Sequence, residues 1–373
     1  MRHNKALQYI LEVLQSNATA PDSTLAFNDL FKLAIRHRIC QQLLTALIPF
    51  QTQFLPTDYD RLSRYCRQDA LRLLQMAAAM TTLSKTLTSE HITHCFVKGL
   101  AISTILYGDI AQRTCKDIDV WISRAHLSQA ITCLCSLGYR QTLPTYELEG
   151  HQANYYMNHR HDIEFYHRGH NVCVELHFRL DYFGLQFGVP NSDYFQTIQM
   201  GSTPIVTLQD DYHLLYLMIH GAIHAWIRLR WLQDIALYIQ SGRCDLTRVF
   251  ILSQRIHCEH VVEQALLLVQ AHFNNKPLPY TPSPRAKALA RTAATFIASN
   301  YEMTPEYGVF NPLFVKYRLY LIRLASKGQK LKALLGDLFK IDNLFPYVKL
   351  PAACAFLYYL LYPFWVVKRV FFR

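Results

Sequence analysis

Residues Phe96 to Ile122 read FVKGLAISTILYGDIAQRTCKDIDVWI, and the fold follows from how this stretch is parsed. It ends in Asp117-Ile118-Asp119, two carboxylates one residue apart inside an apolar run. In a strand, residues i and i+2 point to the same face. Asp117 and Asp119 therefore project together, while Ile118, Val120 and Ile122 supply apolar contacts. Like charges that close repel, and burial raises a carboxylate pKa. A shared divalent cation removes both penalties. Hard oxygen ligands suit magnesium, which takes the rest of its shell from water and substrate phosphates.

Upstream, Phe96-Val97 reads as a strand end, Lys98-Gly99 as a turn, and Leu100 to Tyr107 as a helix. A glycine between strand and helix lets a phosphate approach the backbone, and free amides at the helix start face the anion. Lys98 and Arg113 add positive charge. Gly108 is a second candidate for the phosphate contact, but its place near the helix end suits a C-cap.

The string Lys98-Gly99-x-Ala101, Leu106-Tyr107-Gly108-Asp109, Arg113, Asp117-Ile118-Asp119 resembles the uncharacterised nucleotidyltransferase family of bacteria, within the DNA polymerase β-like nucleotidyltransferase superfamily. The segment Leu33 to Ile39 resembles the helical N-terminal part of the same family. The superfamily pattern is a Gly-Ser or Gly-Gly helix start, an Asp-x-Asp, then a third carboxylate on a later strand. Here Leu100 follows Gly99 and Asp109 follows Gly108, so the small residue after the glycine is missing. The resemblance implies transfer of a nucleoside monophosphate from an NTP, ATP above all, to an acceptor hydroxyl or phosphate, with pyrophosphate released. Mg2+ or Mn2+ is the implied cofactor, held by Asp117, Asp119 and a third acid. The acceptor stays open among RNA, a sugar phosphate, another small molecule and a protein. The missing Ser leaves a non-catalytic nucleotide-binding scaffold as one alternative, and a peripheral membrane protein of envelope or polysaccharide assembly is another.

Two strand-like runs, Tyr155 to Tyr166 and Val172 to Leu180, flank Arg168-Gly169-His170-Asn171 and read as a hairpin. In the second, Val172, Val174, Leu176 and Phe178 share one face; Cys173, Glu175, His177 and Arg179 share the other. Glu175 is thus the expected third carboxylate, with Glu164 and Asp162 as rivals. His177 belongs at the site rim. Six histidines lie between His151 and His177, but their spacing matches no structural zinc pattern and no cysteine pair accompanies them.

Asp211 to Ile239 carries one strong helical pattern, with His220, His224, Trp231 and Asp234 in one stripe. Two readings stand for this stripe. His224, Arg228 or Asp234 contacts nucleotide or acceptor, as the resemblance implies, or the polar groups form a buried network that fixes the helix on the core. A metalloprotease motif is excluded, because Gly221 follows His220.

The chain has 373 residues, 51% of them apolar, and a net charge of +11. Two or three units are expected at this length, and the charge favours anionic partners. Ten cysteines without a CxxC pair suggest reduced thiols in a cytoplasmic protein. Met1 to Gln15 lacks a signal-peptide core. Apolar residues at helical spacing recur over 6–14, 25–47 and 59–87, and helices are expected again to about 272, over 285–300 and over 313–338. Pro277, Pro279, Pro282 and Pro284 mark a loop. Together these give an α+β protein: a helical region over 1–90, a small mixed-sheet core over 91–200, and a helical region over 201–373. Pro351 to Val367 is nearly all apolar and ends at Lys368-Arg369. Residues 351–373 read as a packed arm, an anchor at the inner membrane surface, or a short span.

Overall fold

The structure is a computed structural model that describes residues 5–22, 25–182, 185–186, 190–273, 280–300, 302, 311–325 and 340–371. Four helices come first: α1 Lys5–Leu14, α2 Phe27–His37, α3 Cys40–Leu47 and α4 Pro56–Ser89. The helical spacing over 25–47 is realised as two helices, parted at Arg38, whose left-handed φ of 59° ends α2. Pro56 opens α4, where its missing N–H costs nothing.

The αβ core follows. Strand β1 His94–Val97 leads through α5 Gly99–Ile102 and a π-turn, Ser103–Tyr107, to β2 Asp117–Ile122. Then come α6 Leu127–Ser136, β3 Arg140–Leu143, α7 Gly150–His159, β4 Asp162–His167 and β5 Val172–His177. A two-residue ribbon, β6 Asp181–Tyr182 with β7 Leu185–Gln186, stands apart, and β8 Phe195–Met200 with β9 Thr203–Leu208 completes the strands. The main sheet is seven-stranded, in the order β3-β4-β5-β2-β1-β9-β8. It is mixed, as an α+β reading requires: β2 runs parallel to β5 and antiparallel to β1.

Alternation along β2 divides the two faces. Ile118 and Val120 join Leu73, Met76, Met80 and Leu83 of α4 in one core cluster. Trp121, with Cys95 and Val97 of β1, joins a second cluster built from the N-terminal and later helices. Asp117 and Asp119 open onto that second face.

Two expectations are corrected. Tyr155–Tyr166 is not one strand: Tyr155 and Tyr156 lie on α7, packed edge-on against Phe345 and Tyr146, and only Asp162–His167 pairs with β5. Tertiary aromatic packing overrides the strand propensity of the tyrosines. Asp211–Ile239 is two helices, α8 Asp210–Ile223 and α9 Leu229–Ser241. Ala225 and Trp226 between them take positive φ, 48° and 58°. The wholly buried Trp226 ring folds back onto Gly221, where a Cβ would lie 2.3 Å from the indole. Only glycine permits that approach.

The remaining helices are α10 Leu246–Arg255, α11 Glu259–Phe273, α12 Pro284–Ile297 and α13 Pro312–Leu324, then a last helix, Leu357–Phe371. Pro277, Pro279 and the expected helical stretch 326–338 lie outside the described residues. No described helix is long and apolar enough to cross a membrane.

Candidate active site

The register of three neighbouring strands assembles the site. Asp119 on β2 is aligned with Val97 at the end of β1 and with Glu175 on β5. Lys98 and Gly99, at φ 59° and 45°, turn the chain sharply from β1 into α5. The Lys98 backbone N–H donates to Nε2 of His213 at 3.1 Å. Burial, then the nearby Arg113 cation, lowers the His213 pKa to about 3, so this ring is a neutral acceptor.

Asp119 Oδ1 accepts from Lys98 Nζ at 2.7 Å and from His177 Nε2 at 3.0 Å. Burial alone would raise its pKa; the ammonium and the imidazole hold it well below the usual carboxylate range. His177 Nε2 also lies 3.4 Å from Glu175 Oε2. Glu175 is pushed up to about 7, first by burial, opposed by the His177 contact and reinforced by Asp119 and Asp117. Asp117 is raised by burial and by Asp119, against the pull of Lys98, Arg38 and Arg230. Three carboxylates on two adjacent strands thus meet one ammonium and one imidazole.

Ligand atoms of Asp119, Glu175 and His177 all lie within 4.8 Å of one another, close enough to share an ion. Two carboxylates and an imidazole suit a hard to borderline divalent cation. The raised Glu175 pKa is the mark of carboxylates that such a cation would relieve. Glu164 is in register with Glu175, one strand further from Asp119, and its Oε1 accepts from Thr142 Oγ1 at 2.5 Å.

The other sequence candidates have partners within the fold. Arg113 does not turn toward the carboxylates. It is buried, forms a two-pronged pair with Asp234 (Nε to Oδ1 2.9 Å, Nη2 to Oδ2 2.8 Å), and donates from Nη1 to the Gly99 carbonyl at 3.0 Å. Tyr107 Oη donates to the same Asp234 Oδ1 at 2.9 Å. Asp234 therefore belongs to a buried network that fixes the Lys98-Gly99 turn. Arg228 pairs with Glu302, at 2.8 Å from Nη1 to Oε1, and also donates to the Arg36 carbonyl. His224 stacks on Trp231 with ring centres 5.1 Å apart, beside His220. Burial, followed by Lys98 and Arg38, lowers the His224 pKa to about 3. Gly108 ends the helical turn in left-handed conformation, as a C-cap does.

Sequence reasoning missed four residues here. His161 stacks on His177 with centres 5.7 Å apart. His213 receives the Lys98 amide. Arg38 and Arg230 act electrostatically on Asp117. His161 sits beside His177 across the β4–β5 hairpin; the other three carry no local sequence signal, since each is brought in by a helix or turn distant in the chain.

A family model described as "Uncharacterised nucleotidyltransferase" matches residues 23–274. No curated protein sequence matches the chain. Among solved structures, the antibiotic-resistance factor ANT(2'')-Ia is similar at 9% identity and a TM-score of 0.35, covering 56% of this chain and 100% of its own. An antigenic nucleotidyltransferase-like protein from Paracoccidioides brasiliensis is similar at 14% identity and a TM-score of 0.31, covering 54% and 97%.

Proposed function

The chain belongs to the uncharacterised nucleotidyltransferase family, and from that premise we propose that it moves a nucleoside monophosphate from an NTP, ATP first, to an acceptor hydroxyl or phosphate, releasing pyrophosphate. The observation that carries this reading is the alignment of Asp119 with Glu175, beside Lys98 and in reach of His177. Asp117, Asp119 and Glu175 would hold Mg2+ or Mn2+, with His177 as a fourth donor or an orienting partner. When bound, such ions neutralise charge on the phosphates and lower the pKa of a coordinated hydroxyl. Lys98 neutralises Asp119 in the free protein and is placed to offset phosphate charge. The turn at Gly99, rigidified through Arg113, presents the start of α5 to the triphosphate. Glu175, beside Asp119 and in reach of His177, is the carboxylate placed to accept the proton of an attacking hydroxyl.

The test is label transfer from each α-labelled NTP with Mg2+ or Mn2+, with and without cell extract. Label on RNA, protein or a small molecule, lost in Asp117→Asn/Asp119→Asn, supports the reading and reveals the acceptor. Equal transfer by that variant overturns it.

A second reading adds to the first: attachment to the inner face of a membrane from the cytoplasmic side. The last helix turns Tyr358 and Tyr362 inward against Ile341 and Phe345. Its other side leaves Leu360 60% and Phe364 76% exposed, with Lys349 and Lys368 exposed nearby. An apolar face bordered by cations suits an anionic bilayer surface. Full-length protein should pellet with vesicles containing acidic phospholipid, and Leu360→Glu/Phe364→Glu should stay in solution. Equal pelleting of the two would count against this attachment.

A further inference from the structure

Buried cations crowd the carboxylate site, and one of them has unmatched donors among the described residues. Arg230, the second residue of α9, is only 3% exposed. Its Nε and Nη1 are buried and have no hydrogen-bond partner among the described residues. A guanidinium carries five N–H donors in a rigid fork. Burying it without acceptors is costly, so such a group calls for an explanation.

The surrounding charges sharpen the point. Asp234, one helical turn further along α9, is already paired with Arg113. Burial first, then Arg113 and Arg38, lower the Arg230 pKa to about 9. Arg38 is itself half-buried. Its left-handed backbone holds it in the turn between α2 and α3. The start of α9 meets the end of α2, where the Leu229 N–H donates to His37 Nδ1 at 3.2 Å, so Arg38 and Arg230 come together from distant parts of the chain, and both act on Asp117. Four cations, Lys98, Arg38, Arg113 and Arg230, therefore gather with four carboxylates, Asp117, Asp119, Asp234 and Glu175. Arg228 pairs with Glu302, which it shares with Arg36. A divalent ion on the carboxylates would put these cations in surplus, and a polyanion would offset it.

We propose that Arg230 and Arg38 form an anion subsite beside Asp117 that takes the terminal phosphates of the nucleotide, the part that leaves as pyrophosphate. This rests on the nucleotidyl-transfer reading for the identity of the anion. The chemistry recognised is a condensed phosphate chain; a single phosphate on the acceptor is the other source of the same chemistry. The subsite joins α9 to the α2–α3 turn, outside the strand-turn-helix that carries Lys98 and Gly99. It also explains why a buried arginine is kept where an apolar side chain would stabilise the ligand-free fold.

The experiment uses the full-length protein with Arg230→Met and Arg38→Gln. Calorimetry measures binding of inorganic pyrophosphate, inorganic phosphate and a non-hydrolysable ATP analogue, and thermal unfolding measures ligand-free stability. Wild type should bind pyrophosphate and the ATP analogue more tightly than phosphate. Each variant should lose at least tenfold in pyrophosphate affinity. Arg230→Met should unfold at a higher temperature than wild type when ligand-free, which a merely structural arginine would not allow. If Arg230→Met proves unstable, Arg38→Gln alone still decides on pyrophosphate affinity.

Unchanged pyrophosphate affinity in folded variants overturns the subsite, whether or not label transfer succeeds. Preference of wild type for single phosphate over pyrophosphate also overturns it, in favour of an acceptor phosphate. Arginine-dependent pyrophosphate binding in a protein that transfers no label supports the subsite while sinking the nucleotidyl-transfer reading.

Discussion

Replacing Asp234 by Asn removes one charge from the most enclosed ion pair of the molecule's described part and leaves the shape almost unchanged. The Arg113 and Asp234 side chains are 3% and 0% exposed. Two parallel N–H···O contacts join them, and Tyr107 adds a third donor to Asp234. Asn retains one acceptor oxygen but carries no charge, so Arg113 is left buried and uncompensated. Removing one member of a buried pair costs about 3–5 kcal/mol. With about 2.1 cal/mol/K of unfolding entropy per residue, a loss of about 4 kcal/mol corresponds to a fall of about 5 °C in Tm for a chain of 373 residues. The second consequence is local. Arg113 also holds the Gly99 carbonyl at 3.0 Å, so the turn beside Asp119 loosens and label transfer falls further than stability alone requires. Urea or thermal unfolding, together with transfer assays at a temperature where the variant stays folded, measures both effects. The double variant Arg113→Met/Asp234→Leu should be less destabilised than the sum of its singles, because it buries no charge. A cost under about 1 kcal/mol for Asp234→Asn, or strict additivity in the double variant, would refute the idea that this pair braces the turn.

Asp119→Asn should lower nucleotidyl transfer at least about a hundredfold, and Asp117→Asn should do the same, with the fold retained by circular dichroism. Glu175 titrates near 7 when folded, against its ordinary 4.5. The folded state therefore holds a proton between about pH 4.5 and 7 that the unfolded state has released, and metal-free stability falls as pH rises through that window, by about 3 kcal/mol in total. Glu175→Gln should abolish that part of the slope in urea unfolding at stepped pH; an identical slope in the variant counts against the raised pKa. Gly221→Ala should cost about 1–3 kcal/mol, because its methyl would fall 2.3 Å from the Trp226 ring; a neutral thermal-unfolding result would mean that the α8–α9 break does not depend on this contact.

The part of the site carried by the sheet was legible because strand geometry is local. Period-2 alternation by itself puts Asp117 with Asp119 and Glu175 with His177, and the parallel register of β2 and β5 aligns the two pairs. The Lys98-Gly99 turn was legible for the same reason, since strand, glycine and helix follow one another directly. Arg113 was visible as a charge but its partner was not. Asp234 lies 121 residues away, and nothing in either segment encodes that distance. The helical pattern of 211–239 misled for a physical reason. Ala225 and Trp226 are not turn formers, and a bulky residue at positive φ is unfavourable in isolation. The break exists because Trp226 buries its whole ring against Gly221, a tertiary gain that periodicity cannot register.

That break also governs what α9 contributes. An unbroken helix would carry residues 228–234 onward along the axis of α8. The turn at 225–226 instead begins a new helix whose first amide, at Leu229, is received by His37 Nδ1 at 3.2 Å. Burial, then Arg36 and Arg228, keeps the His37 pKa well below its usual value, so the ring can accept that bond. Within the first two turns, α9 then supplies Arg230 and Asp234, four residues apart and so on one face. Asp234 is committed to bracing the Lys98-Gly99 turn through Arg113, and Arg230 has its buried donors unmatched among the described residues. One helix start thus combines a rigidifying anion with an unmatched cation. Gly221, with no chemistry of its own, becomes the position on which both depend: displacing Trp226 should weaken pyrophosphate binding as well as stability, whereas a packing change elsewhere in α8 should affect stability alone.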